Sequence, residues 1–337
     1  MSAGPQRICI AGAGRMGEGI ALAFMFAGLP VTLIDIKPRD AGEQDRYFRQ
    51  VTDHLRSELA TLVRLGSLDA AQAEQALSHL RLSDREHSGA DLRHADVVFE
   101  AVPEMLELKA ETFAWLSAAC GAETVIASTT STFLVTQLAA LVTHPQRFVN
   151  AHWLNPAFLM PLVEVSRSDD TCPQVVQRLM ALLKRIGKVP VQCAPAAGYI
   201  VPRIQALAMN EAARMVEEGV ASAEDIDTAI RVGFGLRFSV LGMLEFIDWG
   251  GGDILFYASR YLAEAIDPRF LPPKVIADNM AQGRNGLREG QGFYDYRDVD
   301  LDAYKLQRLG EFTRKLELMG LAPVFNGAVA PTLTPRL

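Results

Sequence analysis

Cysteine is scarce and scattered. Cys9, Cys120, Cys172 and Cys193 are the four in 337 residues, and none forms a CxxC pair. That spacing shows neither a disulfide framework nor a zinc site, and it suits a reducing, cytoplasmic compartment. No clustered set of ligand residues calls for a metal. An excess of positive charge is also missing. The formal net charge is −7, which argues against a nucleic-acid binder or a membrane-surface protein, although a local basic patch stays compatible with an anionic substrate. The apolar run Ile20 to Ile34 is too short to span a bilayer, and Gly28 and Pro30 break it; it reads as a helix turning into a strand. Met1 to Arg7 is short and polar, so no signal peptide is expected there. Internal repeats and low-complexity tracts are absent, and the last dozen residues read as a loose tail.

The chain does have the means to build cores. Hydrophobic residues make up 49% and charged residues 22%, and the length suits two domains. Short β-rich runs at Arg7–Ala11, Val31–Asp35, Val97–Ala101, Thr124–Ala127, Arg147–His152 and Leu162–Val165 alternate with helical stretches. Strands separated by helices predict an α/β, largely parallel sheet covered on both faces. Phe48, Val51, Leu55, Leu59 and Leu62 recur at helical spacing and predict a long surface helix ending near Gly66; a second helix fits Pro173–Ile186. After Gly198 helical patterns dominate. Ile204–Glu218 reads as a helix closed by Gly219, and Ser222 with Asp225 as the start of another. The expected division is residues 1–195 and an all-α domain at 196–325, with the boundary near Ala194–Ala197.

The segment Ile8 to Gly17 is a strand running into GxGxxG, and the helical run Glu18–Phe26 follows. Gly12 permits a tight turn, Gly14 lets backbone approach a pyrophosphate, and Gly17 allows close helix–strand packing. Arg15 and Met16 complete the loop, and the helix N-terminus offers unpaired N–H groups to phosphate. Asp35 ends the next strand. Its carboxylate can accept both ribose hydroxyls and would repel a 2′-phosphate, which selects NAD over NADP. Lys37 and Arg39 follow and read as solvated loop charges.

His152 ends another strand, and Glu164 lies twelve residues on in the next β-rich run. Oxidising an alcohol by hydride transfer needs a base for the hydroxyl proton. Histidine suits that task near neutral pH, and a carboxylate on its second nitrogen fixes the tautomer. At this point the sequence resembles the L-3-hydroxyacyl-CoA dehydrogenase superfamily over nearly the whole chain. The resemblance implies a Rossmann-type domain with a helical C-terminal domain, His152 as catalytic base, Glu164 as its partner, and Ser131 touching the substrate oxygen. It places a nicotinamide-side glutamate and lysine at Glu104 and Lys109, and adds Asn155 to the substrate contacts. Gly290 to Tyr296 also looks like part of the family's helical domain. Read without the resemblance, Ser131 is a turn hydroxyl in a Ser/Thr-rich loop, and Glu104 with Lys109 a solvated pair at a helix start.

Two departures bear on the substrate. The family reads Gly-Phe-Ile-x-Asn-Arg where this chain has Gly198-Tyr199-Ile200-Val201-Pro202-Arg203. Pro202 fits the first turn of a helix but supplies no amide to a substrate oxygen. The stretch His54 to Arg64 also lacks the lysines that suit CoA phosphates. Arg56 to Leu68, Val102 to Lys109 and Arg231 to Phe238 look closer to the branch acting on free hydroxy acids, which includes L-gulonate 3-dehydrogenase and L-carnitine dehydrogenase, whereas Gly292 to Tyr296 points back to the acyl-CoA branch. The expectation is therefore NAD-dependent oxidation of an L-3-hydroxyacyl-CoA in fatty acid metabolism, with the substrate between the domains. The rivals are a dehydrogenase of a free 3-hydroxy acid, clamped by Arg203 or Arg237, and an NAD-binding structural protein with little catalysis. The resemblance, with the apolar runs Phe238–Ile247 and Ile254–Tyr261, implies a homodimer. A small-molecule substrate is the expected partner, with no nucleic acid and no membrane.

Overall fold

The computed structural model describes residues 6–323; the expected tail lies outside them. Eight strands form one sheet: β1 (Ile8–Ala11), β2 (Val31–Asp35), β3 (Leu80–Asp84), β4 (Val97–Glu100), β5 (Val125–Ser128), β6 (Phe148–Trp153), β7 (Leu162–Ser166) and β8 (Val189–Cys193). Their order is β3-β2-β1-β4-β5-β6-β7-β8. Every neighbouring pair is parallel except β6 with β7. All six expected strands form, with ends moved by no more than one residue. The two that periodicity misses, β3 and β8, are the edges of the sheet. β3 reads Leu-Arg-Leu-Ser-Asp and is only partly buried. β8 carries Pro190, which an edge tolerates because one side needs no ladder donor.

Helices cover the sheet: α1 (Arg15–Phe26), α2 (Ala41–Arg64), α3 (Ala70–Ser78), α4 (Gly89–Arg93), α5 (Leu106–Ala119), α6 (Val135–Ala139) and α7 (Pro173–Arg185). Strand alternation divides the core. Ile8 and Ile10 of β1 join one apolar cluster with α1 and α2, whereas Cys9 and Ala11 join the other with Phe113 and Leu116 of α5. Burial pushes the Cys9 and Cys120 thiols up to about 12, so both stay protonated and inert.

Next comes α8 (Val201–Glu217). The chain divides into two compact units between Ala208 and Met209, inside this helix, so its first turns stay with the sheet. The boundary expected from composition lies between β8 and α8. In the second unit the structure is helical: α9 (Ala223–Ala229), a π-turn at Ile230–Gly235, α10 (Leu236–Phe238), α11 (Met243–Gly250), α12 (Gly252–Ala265), α13 (Lys274–Ala281) and α14 (Leu301–Leu318). Ser222 caps α9 as expected, its hydroxyl accepting from Asp225 N at 3.1 Å. The Gly290–Tyr296 segment is held by one buried carboxylate. Asp248 accepts from Phe293 N and Tyr294 N, each at 2.9 Å, and from the Tyr296 hydroxyl at 3.1 Å. Among the described residues no helix is long and apolar enough to cross a membrane.

Candidate active site

The strand order reverses between β1 and β4, and in an open parallel sheet ligands bind outside the carboxyl ends of the strands at such a point. A cleft of about 1360 Å³ opens there, lined by Gly12, Gly14, Asp35, Glu104, Ser131 and His152 among others. Its floor is shaped by close backbone approach. Gly12 has φ +117°, and a Cβ there would sit 2.6 Å from the carbonyl oxygen of Ala101; at Gly17 it would lie 1.9 Å from Gly12 O. At Gly14, in contrast, no heavy atom comes within 4 Å of that position. Gly14 is also the N-cap of α1, and no side chain caps it. The loop therefore presents free backbone N–H groups and open space to an anion, as a dinucleotide pyrophosphate requires. Arg15 and Met16 line the same cleft.

Asp35 is buried at the end of β2 and accepts from Arg39 Nε at 2.6 Å, Gln44 Nε2 at 3.2 Å and Lys37 N at 3.2 Å. Arg39 also lies 4.0 Å from the Tyr47 ring centroid, and the Tyr47 hydroxyl donates to Ala13 O at 2.6 Å. Arg39 is thus a fixed part of the cofactor wall rather than the solvated loop charge its sequence position suggested. Lys37 is exposed on the rim.

At the other end of the cleft, β6 and β7 pair antiparallel with His152 directly opposite Glu164. Opposed residues point to the same face with Cβ atoms roughly 5 Å apart, which is why a twelve-residue spacing brings these side chains together. His152 Nδ1 lies 2.8 Å from Glu164 Oε2, with Glu164 fully buried. Where Glu164 is ionised and the ring neutral, this contact requires the hydrogen on Nδ1 and leaves the lone pair on Nε2. The other carboxylate oxygen, Oε1, accepts from Ile200 N and Val201 N, both at 2.9 Å. Glu164 thereby satisfies two orphan donors at the start of α8 while it orients the imidazole.

Ser131 faces the cleft from the loop after β5, and its position is set by Glu104. Glu104 Oε1 accepts from Ser131 N at 2.7 Å and from its hydroxyl at 3.3 Å, and Oε2 accepts from Thr130 Oγ1 at 2.9 Å. Lys109 lies beneath, only 1% exposed, with Nζ 2.8 Å from Glu100 Oε1 and 3.5 Å from Glu104 Oε2. Lys109 is therefore not solvated, whereas Glu104 is exposed on the cleft wall: Lys109 is a buried strut beneath Glu104 rather than a lining residue. Glu100 belongs to no motif and reads as a strand residue. Fully buried, it also accepts from Val102 N at 2.9 Å and Ser128 Oγ at 2.6 Å.

Asn155 and Pro202 line the cleft, and Pro202 occupies the first turn of α8 as its chemistry requires. Arg203 is exposed and does not line it. Arg237 belongs to the second unit, with its guanidinium 4.6 Å from the Phe246 ring centroid. The loop carrying Asn155 is anchored by a residue that the sequence did not single out. Lys188 Nζ donates to the carbonyls of Ala157, Phe158 and Met160 at 2.7, 3.0 and 2.8 Å, and burial pushes this amine down to about 8. No group of three or more potential ligand residues could hold a metal among the described residues.

With this geometry in place, comparison with known proteins is decisive. Residues 7–196 match the family model for the 3-hydroxyacyl-CoA dehydrogenase NAD binding domain, and residues 198–296 match that for the C-terminal domain. The chain belongs to the 3-hydroxyacyl-CoA dehydrogenase family. Among its relatives is the 3-hydroxyadipyl-CoA dehydrogenase of Escherichia coli K12, 35% identical over 87% of this chain and 59% of that protein. The 5-formyl-3-hydroxy-2-methylpyridine 4-carboxylate 5-dehydrogenase of Mesorhizobium japonicum is 29% identical over 90% of this chain and 94% of its own. The crystal structure of a 3-hydroxyacyl-CoA dehydrogenase from Archaeoglobus fulgidus superposes with a TM-score of 0.73 at 29% identity, covering 94% of this chain and 99% of that one. As a 3-hydroxyacyl-CoA dehydrogenase family member, the chain is an NAD-dependent oxidoreductase, and the glycine loop, the α1 terminus and Asp35 fit that cofactor.

Replacing Asp35 with Ala removes the carboxylate expected to accept the ribose hydroxyls and frees Arg39. The ratio of kcat/KM for NAD to that for NADP should fall about ten- to a hundredfold, the scale of a lost charged hydrogen bond. An unchanged ratio would show that Asp35 does not set the preference.

Proposed function

We propose that the chain oxidises the 3-hydroxyl of an L-3-hydroxyacyl-CoA, with His152 as general base. The observation that carries this reading is the buried His152–Glu164 pair on the wall of a dinucleotide cleft. Bound NAD would supply the hydride acceptor for the hydrogen on the 3-carbon. His152 Nε2 takes the hydroxyl proton as the carbonyl forms, and Glu164 balances the charge that develops on the imidazole. Ser131 turns its O–H toward the substrate oxygen, its backbone held by Glu104. Replacing His152 with Gln should lower kcat by about a hundredfold or more while NAD affinity barely changes. A variant with near-normal kcat would remove His152 from the role of base.

A second reading, a free hydroxy acid as substrate, is favoured by Pro202 on the cleft wall and by the Mesorhizobium relative, whose name gives a pyridine carboxylate. A panel of L-3-hydroxyacyl-CoA thioesters and their free acids, tested with wild type and Pro202→Asn, separates the two. If the pocket serves thioesters, the variant should turn over short ones faster. If it serves another substrate, activity on that substrate should fall while thioester activity stays low. Unchanged kinetics throughout would place Pro202 outside the working site.

We also infer a homodimer formed through the helical unit. Ile254, Tyr257 and Tyr261 recur on one face of α12 and are 61%, 60% and 69% exposed, more apolar surface than a solvated helix normally shows. Light scattering at micromolar concentration should give twice the chain mass; a monomer would contradict the inference.

A further inference from the structure

Tyr199 departs from the family's phenylalanine, and its surroundings give the added hydroxyl a purpose. Its ring lies flat on the His152 imidazole, with centroids 4.6 Å apart and planes inclined by 15°. The hydroxyl donates to Thr130 O at 2.8 Å and accepts from Asn150 Nδ2 at 3.1 Å. Asn150 and His152 are two apart on β6 and share a face, so the ring spans both side chains. Thr130 directly precedes Ser131. Tyr199 is also followed immediately by Ile200 and Val201, the two N–H donors on Glu164. One residue thus touches the imidazole, the loop of the substrate-facing serine and the segment that grips the orienting carboxylate.

The backbone is bent to achieve this. Tyr199 has φ +47°, in the left-handed region that a bulky side chain avoids, and it follows Gly198 at φ +78°. A strained conformation persists only where the surroundings fix it, and such residues cluster at working sites. Burial pushes the phenol well above its ordinary value, so it stays a donor to Thr130 O.

The geometry points to Tyr199 as a positioning residue that fixes the plane of the His152 imidazole and ties it to the Ser131 loop. The inference rests on the reading of His152 as base. The stack restricts ring rotation about the side-chain bonds, leaving Nε2 aimed into the cleft. The hydroxyl bridge sets the distance from β6 to the loop that carries Ser131. Base and substrate-oxygen contact are then held as one unit, and small misplacement of such groups is costly in rate.

Tyr199→Phe keeps the stack and removes the bridge, whereas Tyr199→Leu removes both. Both are compared with wild type by NADH formation from 3-hydroxybutyryl-CoA or free 3-hydroxybutyrate, by NAD titration, and by the proton shifts of the His152 ring. The expected results are a kcat lower by about fivefold for Phe and about ten- to a hundredfold for Leu, with NAD affinity unchanged. The upfield ring-current shift on the His152 protons should persist in Phe and vanish in Leu. In a His152→Gln background, Tyr199→Leu should change kcat by less than about twofold, because residues acting through one group are not additive. His152→Gln alone reports on the base, so its failure is distinguishable from that of Tyr199. A Leu variant within about twofold of wild-type kcat would overturn the proposal. So would an equal loss in the His152→Gln background, or His152 shifts that ignore the substitution; the shifts decide the matter even if neither probe is turned over.

Discussion

The site depends on the antiparallel pairing of β6 with β7, which sets His152 opposite Glu164 within an otherwise parallel sheet. A buried carboxylate is costly unless each oxygen is satisfied. Here one oxygen takes the imidazole N–H and the other takes two backbone N–H groups at the start of α8. Helix start, carboxylate and imidazole are consequently a single hydrogen-bonded unit. Loss of Glu164 would leave uncapped donors as well as an unoriented histidine, so under the proposed role of His152 stability and catalysis would be coupled at that residue.

A second buried carboxylate plays the corresponding part on the other wall. Glu100 holds Lys109, Lys109 lies against Glu104, and Glu104 holds the backbone of Ser131. Glu100 and Lys109 form the buried pair, Glu104 is exposed above it, and the serine loop is tied to Glu104 from below and to the Tyr199 hydroxyl from the side. Both walls are therefore held by hydrogen bonds within the chain, which is what the proposed base and oxygen contact would need in order to act at short range.

Much of this was legible in the sequence because it is periodic or local. The GxGxxG loop, Asp35, the six central strands and the Ser222 cap all follow rules of spacing over a few residues. His152 with Glu164 was legible as chemistry, and the β6–β7 register shows why their spacing works. What escaped was what depends on distant segments or on exposure. β3 and β8 are edge strands and lack a buried periodic signature. Arg39 reads as a loop charge until Asp35 and Tyr47 are placed around it. Lys109 reads as a solvated helix residue until Glu100 is set beneath it, and Lys188 has no motif at all, because its three partners are carbonyl groups. Tyr199 differs from phenylalanine by one oxygen, whose value appears only once Asn150 and Thr130 are in place.

The central claim is that Glu164 fixes the tautomer of His152, with the proton on Nδ1 and a free lone pair on Nε2. Nitrogen-15 NMR of the His152 ring tests it most directly, in the full chain at about pH 8, where an ordinary imidazole is neutral. The account predicts a protonated Nδ1 and an unprotonated Nε2, with the Nδ1 proton lost from its hydrogen-bonded position in Glu164→Gln. A neutral ring carrying its proton on Nε2 would contradict it.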